Sequence, residues 1–185
     1  MDQHDKMPGM GWGRFAAMIA TSVAIMFPLM YHLVYSSDHL TFSINRLVAS
    51  LLMGAIMTIV MLGFMWSMYR GTKVKIGVMV VAALVAAALL FVNRSQQLVD
   101  DTAFMKAMIP HHSIAINNAR KADISDPRVR ELADLIIESQ VREIREMQLL
   151  LDEIERNGER GDRVLPARTA GLTPQLEAKA REVLK

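Results

Sequence analysis

Residues 101–119 read DTAFMKAMIPHHSIAINNA, and the helix they predict, from about Gln97 to Lys121, is what the rest of the chain is organised around. At 100° per residue, Asp101, Met105, Met108, His112 and Ala119 fall on one face. His111 lies beside that face, on a stripe with Phe104, Met108, Ala115 and Asn118. Adjacent histidines point about 100° apart, so one binds or packs while the other hydrogen-bonds. Pro110 removes one helical hydrogen bond, frees the carbonyl of Lys106 and should bend the helix.

Downstream, Asp126-Pro127 is a helix start with proline in the first turn, and Asn157-Gly158 is a stop signal. The helix between them runs to about Arg156 and carries a core stripe of Ile136, Gln140, Glu143, Met147 and Leu151, with Ile137 and Ile144 alongside. Glu143 is the anomaly. A carboxylate facing a core is costly unless it is paired, hydrogen-bonded or metal-bound. Its natural partners are His111 or His112 on the preceding helix. After a loop with Gly158, Gly161, Pro166 and Gly171, Thr173-Pro174 opens a short helix over 174–184.

Upstream the character changes. Three uncharged runs, about 15–35, 47–68 and 76–92, reach the roughly 17 to 20 apolar residues that a bilayer-crossing helix needs. The first is longer than a secretory signal's apolar region and two more follow, so it is expected to be retained. Lysine and arginine favour the cytoplasmic side. Lys6 and Arg14 precede the first run, and Arg70, Lys73 and Lys75 lie between the second and third. The expected topology has an inside N-terminus and an outside C-terminal half. Residues 1–93 are thus an anchor in the bilayer, and 94–185 an extracytoplasmic helical domain with its core at 96–157. Tyr31 and His32 are expected as interfacial anchors and His39 as a loop residue, an accessory site with Met30 and Asp38 being the alternative.

Composition narrows the function. The first 93 residues hold six Lys/Arg and three Asp/Glu, and the remainder fifteen and sixteen. The outer half is therefore nearly neutral, which argues against a nucleic-acid-binding face. With no cysteine, disulfides and thiolate ligation are excluded. Fifteen methionines are many. Met53, Met57, Met61 and Met65 recur every four residues, as a packing seam or a row of thioethers. No P-loop, G-x-S-x-G or zincin pattern occurs. A di-iron bundle would require Glu-x-x-His pairs, and none is present.

Asp101, Phe104, Met108, Ile109, His111, His112, Ala115, Ile116 and Ala119, followed by Gln140, Glu143, Ile144 and Met147, resemble the two helices of the bacterial domain-of-unknown-function family 305. The resemblance covers about residues 96–157, and the three-run region before it looks like the membrane-anchored version of that family. It implies a ferritin-like helical bundle exposed outside the cytoplasm; with the three runs and the charge distribution, the expectation is an all-α protein of three transmembrane helices followed by that bundle, in the periplasm of a bacterial inner-membrane protein. It also implies copper handling. The family's methionine after the histidine pair is Asn118 here, so a thioether beside His111 is lost.

Imidazole and thioether ligands suit copper, and thioethers favour Cu(I) over Cu(II). The expected metal residues are His111, His112, Met108 and Met147, with Glu143 and Asp101 as ligands or as groups that orient the imidazoles, and Met105 as a further candidate. No catalytic residue is expected. The alternative is a structural module whose buried His, Glu and Gln hydrogen bonds fix helix register. Two helices bury little by themselves, so a homodimeric four-helix bundle is expected under either reading.

Overall fold

The computed structural model describes residues 11–184, and among them the chain is all-helical, with no strand. Six helices follow in order: α1 Trp12–Leu29, α2 Ile44–Phe64, α3 Thr72–Ser95, α4 Asp101–Lys121, α5 Pro127–Asn157 and α6 Pro174–Arg181. Short 3₁₀ turns lie at Ser37–His39, Trp66–Met68 and Glu182–Leu184. The first three helices are long and apolar enough to cross a membrane. Lys6, one of the charges behind the expected topology, lies outside the described residues.

The chain falls into two compact units. One runs to His32 and from Leu40 to Ala107; the other comprises Leu33–His39 and the chain from Met108. The third apolar helix ends at Ser95, the compact units part within α4, and the second unit includes a segment that precedes α2.

In the first unit α2 packs against both α1 and α3. Gly54 lies where α1 crosses closely: a Cβ there would stand 2.4 Å from Val23 Cγ2. An open apolar groove remains, lined by residues such as Ala16, Ala20, Gly77, Val78 and Ala82. Buried Phe15, Leu62 and Tyr69 form a core cluster at one end, and Trp12 joins the two aromatic rings there. Buried Lys75 is accommodated because its ammonium donates to the Trp66 carbonyl at 2.9 Å and sits 4.2 Å from the centre of the Trp66 ring. Arg46 is held likewise, over the Tyr31 ring and on the Met30 carbonyl.

α1 ends at Leu29, six residues before the apolar run does. The Met30 N–H is shared between the Met26 and Phe27 carbonyls, which tightens the last turn. Side chains then take the exposed carbonyls: His32 Nδ1 lies 2.6 Å from the Leu29 oxygen, and Arg46 reaches that of Met30. Hydropathy sees none of this.

Whether α3 continues into α4 is decided at Gln96. Its φ of 54° is left-handed and ends α3 at Ser95. Asp100 then caps α4, its carboxylate accepting from the Ala103 N–H at 2.7 Å. The Lys106 carbonyl that Pro110 frees is taken by the Thr41 hydroxyl at 2.5 Å. α5 starts on the expected cap, Asp126 accepting from the Arg128 N–H at 2.9 Å, and stops at Gly158 with φ 76°.

Candidate functional site

The second unit is built on two buried stripes. On α4 they are Ile109, Ser113, Ile116 and Asn117. On α5, buried Ala133, Ile144 and Met147 are joined by half-buried Ile137, Gln140 and Leu151. The α5 stripe is rotated from its expected position: Ile136 is 38% exposed, and Glu143 lies at the edge of the stripe rather than in it.

From that edge Glu143 faces His112, Oε2 to Nδ1, at 3.4 Å. The carboxylate is fixed from its own helix, by the Ser139 hydroxyl on Oε1 at 2.7 Å and the Gln140 amide on Oε2 at 3.4 Å. The His112–Glu143 contact is at ion-pair distance but lacks hydrogen-bond geometry, and Nδ1 of His112 is buried with no hydrogen-bond partner. Met147 is buried one turn beyond Glu143.

Burial holds the His112 imidazole below its ordinary pKa. The Glu143 carboxylate partly offsets this, and His111 adds to the lowering. Because the folded state binds the proton more weakly than the unfolded chain, stability is full above about pH 6.5, the unfolded histidine value, and falls with acidification toward the folded pKa. Denaturant midpoints measured on the full chain from neutral pH downward should show this decline, and His112→Gln should flatten it. A wild-type midpoint that rises on acidification would contradict the placement of the ring.

The other expected residues are distributed as follows. His111 is exposed, its ring centroid 5.9 Å from that of His112 and tilted by 58°. Met108 is half-buried. Asp101 is exposed in the first turn of α4 and Met105 is buried, and both belong to the other compact unit. Asn118 is exposed. Among the described residues no three His, Asp or Glu side chains converge into a cage that could hold a metal ion.

Nothing in the sequence announces what Ser113 does. This fully buried hydroxyl accepts the Tyr35 N–H at 2.8 Å and hydrogen-bonds His39 Nδ1 at 2.9 Å. The Arg120 guanidinium closes the same tie on the Tyr35 hydroxyl, 4.9 Å from the centre of its ring. His39 is thus more than the loop residue expected. The only available signal is a serine at an apolar position of the Ile109–Ile116 stripe, and that names no partner.

The family model for a domain of unknown function, DUF305, matches residues 91–178. A protein described as uncharacterised protein L153, of Acanthamoeba polyphaga mimivirus, is 35% identical over 104 residues, spanning 52% of this chain and 68% of its own. The chain belongs to the DUF305 family. No solved structure matches it. The DUF305 segment contains α4 and α5 entire, and so both His112 and Glu143. Tyr35 and His39, which close on Ser113, come from outside it.

Proposed function

We propose that this DUF305 protein is a membrane-anchored, non-catalytic metal-binding protein whose helical unit takes up copper outside the cytoplasm. One observation carries the reading: the buried, unpartnered Nδ1 of His112 faces a carboxylate that its own helix already orients. A buried nitrogen without a partner costs about 1–3 kcal/mol, and a cation would remove that cost. The lowered pKa keeps the imidazole neutral, the form that coordinates. His112, Glu143 and Met147 fit as the donor set, with Met108 nearby on the helix. A thioether and an imidazole favour Cu(I), for which few donors suffice. A bound copper would supply a soft cationic centre for storage or transfer. The topology rests on the basic residues before α1 and between α2 and α3, and copper agrees with the family resemblance.

A second reading is favoured by the Ser113 tie. There the polar groups only fix how the segments of the unit pack, and the protein serves as an assembly module.

The full chain in detergent, stripped of metals, should be titrated with Cu(I) anaerobically against a competing chelator, and with Cu(II) and Zn(II). His112→Ala and Met147→Ala should each weaken Cu(I) binding about tenfold or more, and exposed His111→Ala much less. Wild type binding no more tightly than the His112→Ala/Met147→Ala double variant would leave the second reading standing.

A further inference from the structure

The groove in the apolar unit is walled by α1 and α3 and floored by α2 at Gly54 and Ala55, and it holds about 1190 Å³. Small residues keep it hollow. Ala16, Ala20 and Ala24 recur every four residues along the α1 wall, and Gly77 lines the α3 wall, where a Cβ would meet nothing within 4 Å. The lining on α1 runs from Trp12 to Ala24, about 18 Å at the helical rise. Half the hydrocarbon thickness of a bilayer is about 15 Å, so the groove has the length of a lipid tail in one leaflet. The one hydroxyl in the lining, that of Thr58, is already given to the Gly54 carbonyl at 2.9 Å. Between the groove's ends a ligand therefore meets hydrocarbon alone.

One end of the groove is basic. Arg14, in the first turn of α1, and Arg70 and Lys73, where α3 begins, are exposed, and none of them is in an ion pair among the described residues. Lys73 precedes Gly77 by one turn, which sets its cation beside the lip of the groove. Residues 1–14 and 65–75 together hold five Lys/Arg and two Asp/Glu, and no acidic residue falls between 39 and 99. Trp12 lines the same end, and tryptophan favours the depth of the headgroups.

We propose that the groove is a binding site for one anionic phospholipid, with its tails between α1 and α3 and its phosphate at Lys73 and Arg70. The site rests on the three helices lying in a bilayer and not on the metal reading.

Charge decides between a lipid and a second copy as the occupant. Copies of one chain in one membrane lie parallel, so a helix of a second copy would bring its own Arg14, Arg70 and Lys73 to the same level, like charge against like. An anionic headgroup neutralises that end instead, and each lysine or arginine near it adds to the attraction. A lipid with no net charge gains from the tails only.

The full-length protein, stripped of lipid in detergent, should be incubated with phosphatidylglycerol or with phosphatidylcholine of the same chain length and weighed by native mass spectrometry. One phosphatidylglycerol per chain should be retained, about tenfold more tightly than phosphatidylcholine. Arg70→Gln/Lys73→Gln should bring the two lipids level and leave retention of phosphatidylcholine as it was. Gly77→Leu, whose side chain enters open space, should keep its helical circular dichroism and weaken retention of both lipids about tenfold or more. Gly63→Leu is equally uncrowded and lies outside the lining, and it should retain them as wild type does. Equal retention of the two lipids by wild type overturns the site, as does undiminished retention by Gly77→Leu. A wild-type mass of two chains that falls to one in Gly77→Leu also overturns it, by placing a second copy in the groove. A chain that does not enter vesicles of either lipid removes the membrane placement itself, whereas one that enters them and retains no lipid removes this site alone.

Discussion

Replacing Ile116 by alanine is expected to destabilise the second compact unit by about 2–5 kcal/mol, enough to remove much of a typical domain's stability of roughly 5–15 kcal/mol. Ile116 is 1% exposed, and with Ile109 at 0% it is one of two large aliphatic side chains that this unit buries completely among the described residues. Truncation loses the transfer free energy of three carbons and leaves a cavity between neighbours that relax only in part. The surroundings have little freedom to collapse, because Ser113, three residues earlier, is pinned by Tyr35 and His39. Urea unfolding of the full chain in detergent, with circular dichroism and protease sensitivity of the α4–α5 region as readouts, should show that region melting well below wild type. Ile136→Ala, at a 38% exposed site, should cost clearly less in the monomeric state. Equal losses would mean that the burial pattern is wrong.

Gly54→Leu is expected to disrupt the packing of α1 against α2. Even the first added carbon would lie 2.4 Å from Val23 Cγ2. Valine is confined to essentially one χ1 rotamer in a helix, so the obstacle cannot swing away and α1 must separate from α2. Overpacking of this kind costs typically about 1–3 kcal/mol, and between apolar helices in lipid, association depends on close van der Waals fit. Gly63, with nothing within 4 Å of a Cβ, is the matched control. Resistance to denaturing detergent, followed by tryptophan fluorescence, should fall for Gly54→Leu and hold for Gly63→Leu. Similar behaviour of the two would show that α1 and α2 do not pack at this point.

What can be read in advance follows from strong local signals. Three uncharged runs predict three spanning helices because backbone groups in lipid must bond within their own helix. Asp126-Pro127 and Gly158 mark α5 because caps are local chemistry. What cannot be read depends on distance. The end of α1 is set by His32 and Arg46 taking carbonyls, and Arg46 lies on another helix. The left-handed turn at Gln96 is unusual for a residue with a side chain. Of the histidine pair, periodicity shows that both cannot face one way, but not that His112 is the shielded one. The buried stripe of α5 lies less than one residue's rotation from where periodicity puts it, which is enough to move Ile136 outward and Glu143 from the centre to the rim. Ser113 is joined to residues 74 and 78 positions earlier, and a single sequence carries no trace of such a pairing.

The segment Leu33–His39 belongs with residues from Met108 onward, and this has a practical consequence for anyone wishing to isolate the second compact unit. A scissor placed after the third apolar helix discards Tyr35 and His39 and strands the Ser113 hydroxyl, a loss of about 1–3 kcal/mol. Assays on such a truncated product would report on a damaged object. Biogenesis has the same feature: a stretch synthesised early must wait, through two further apolar helices, for the serine that receives it.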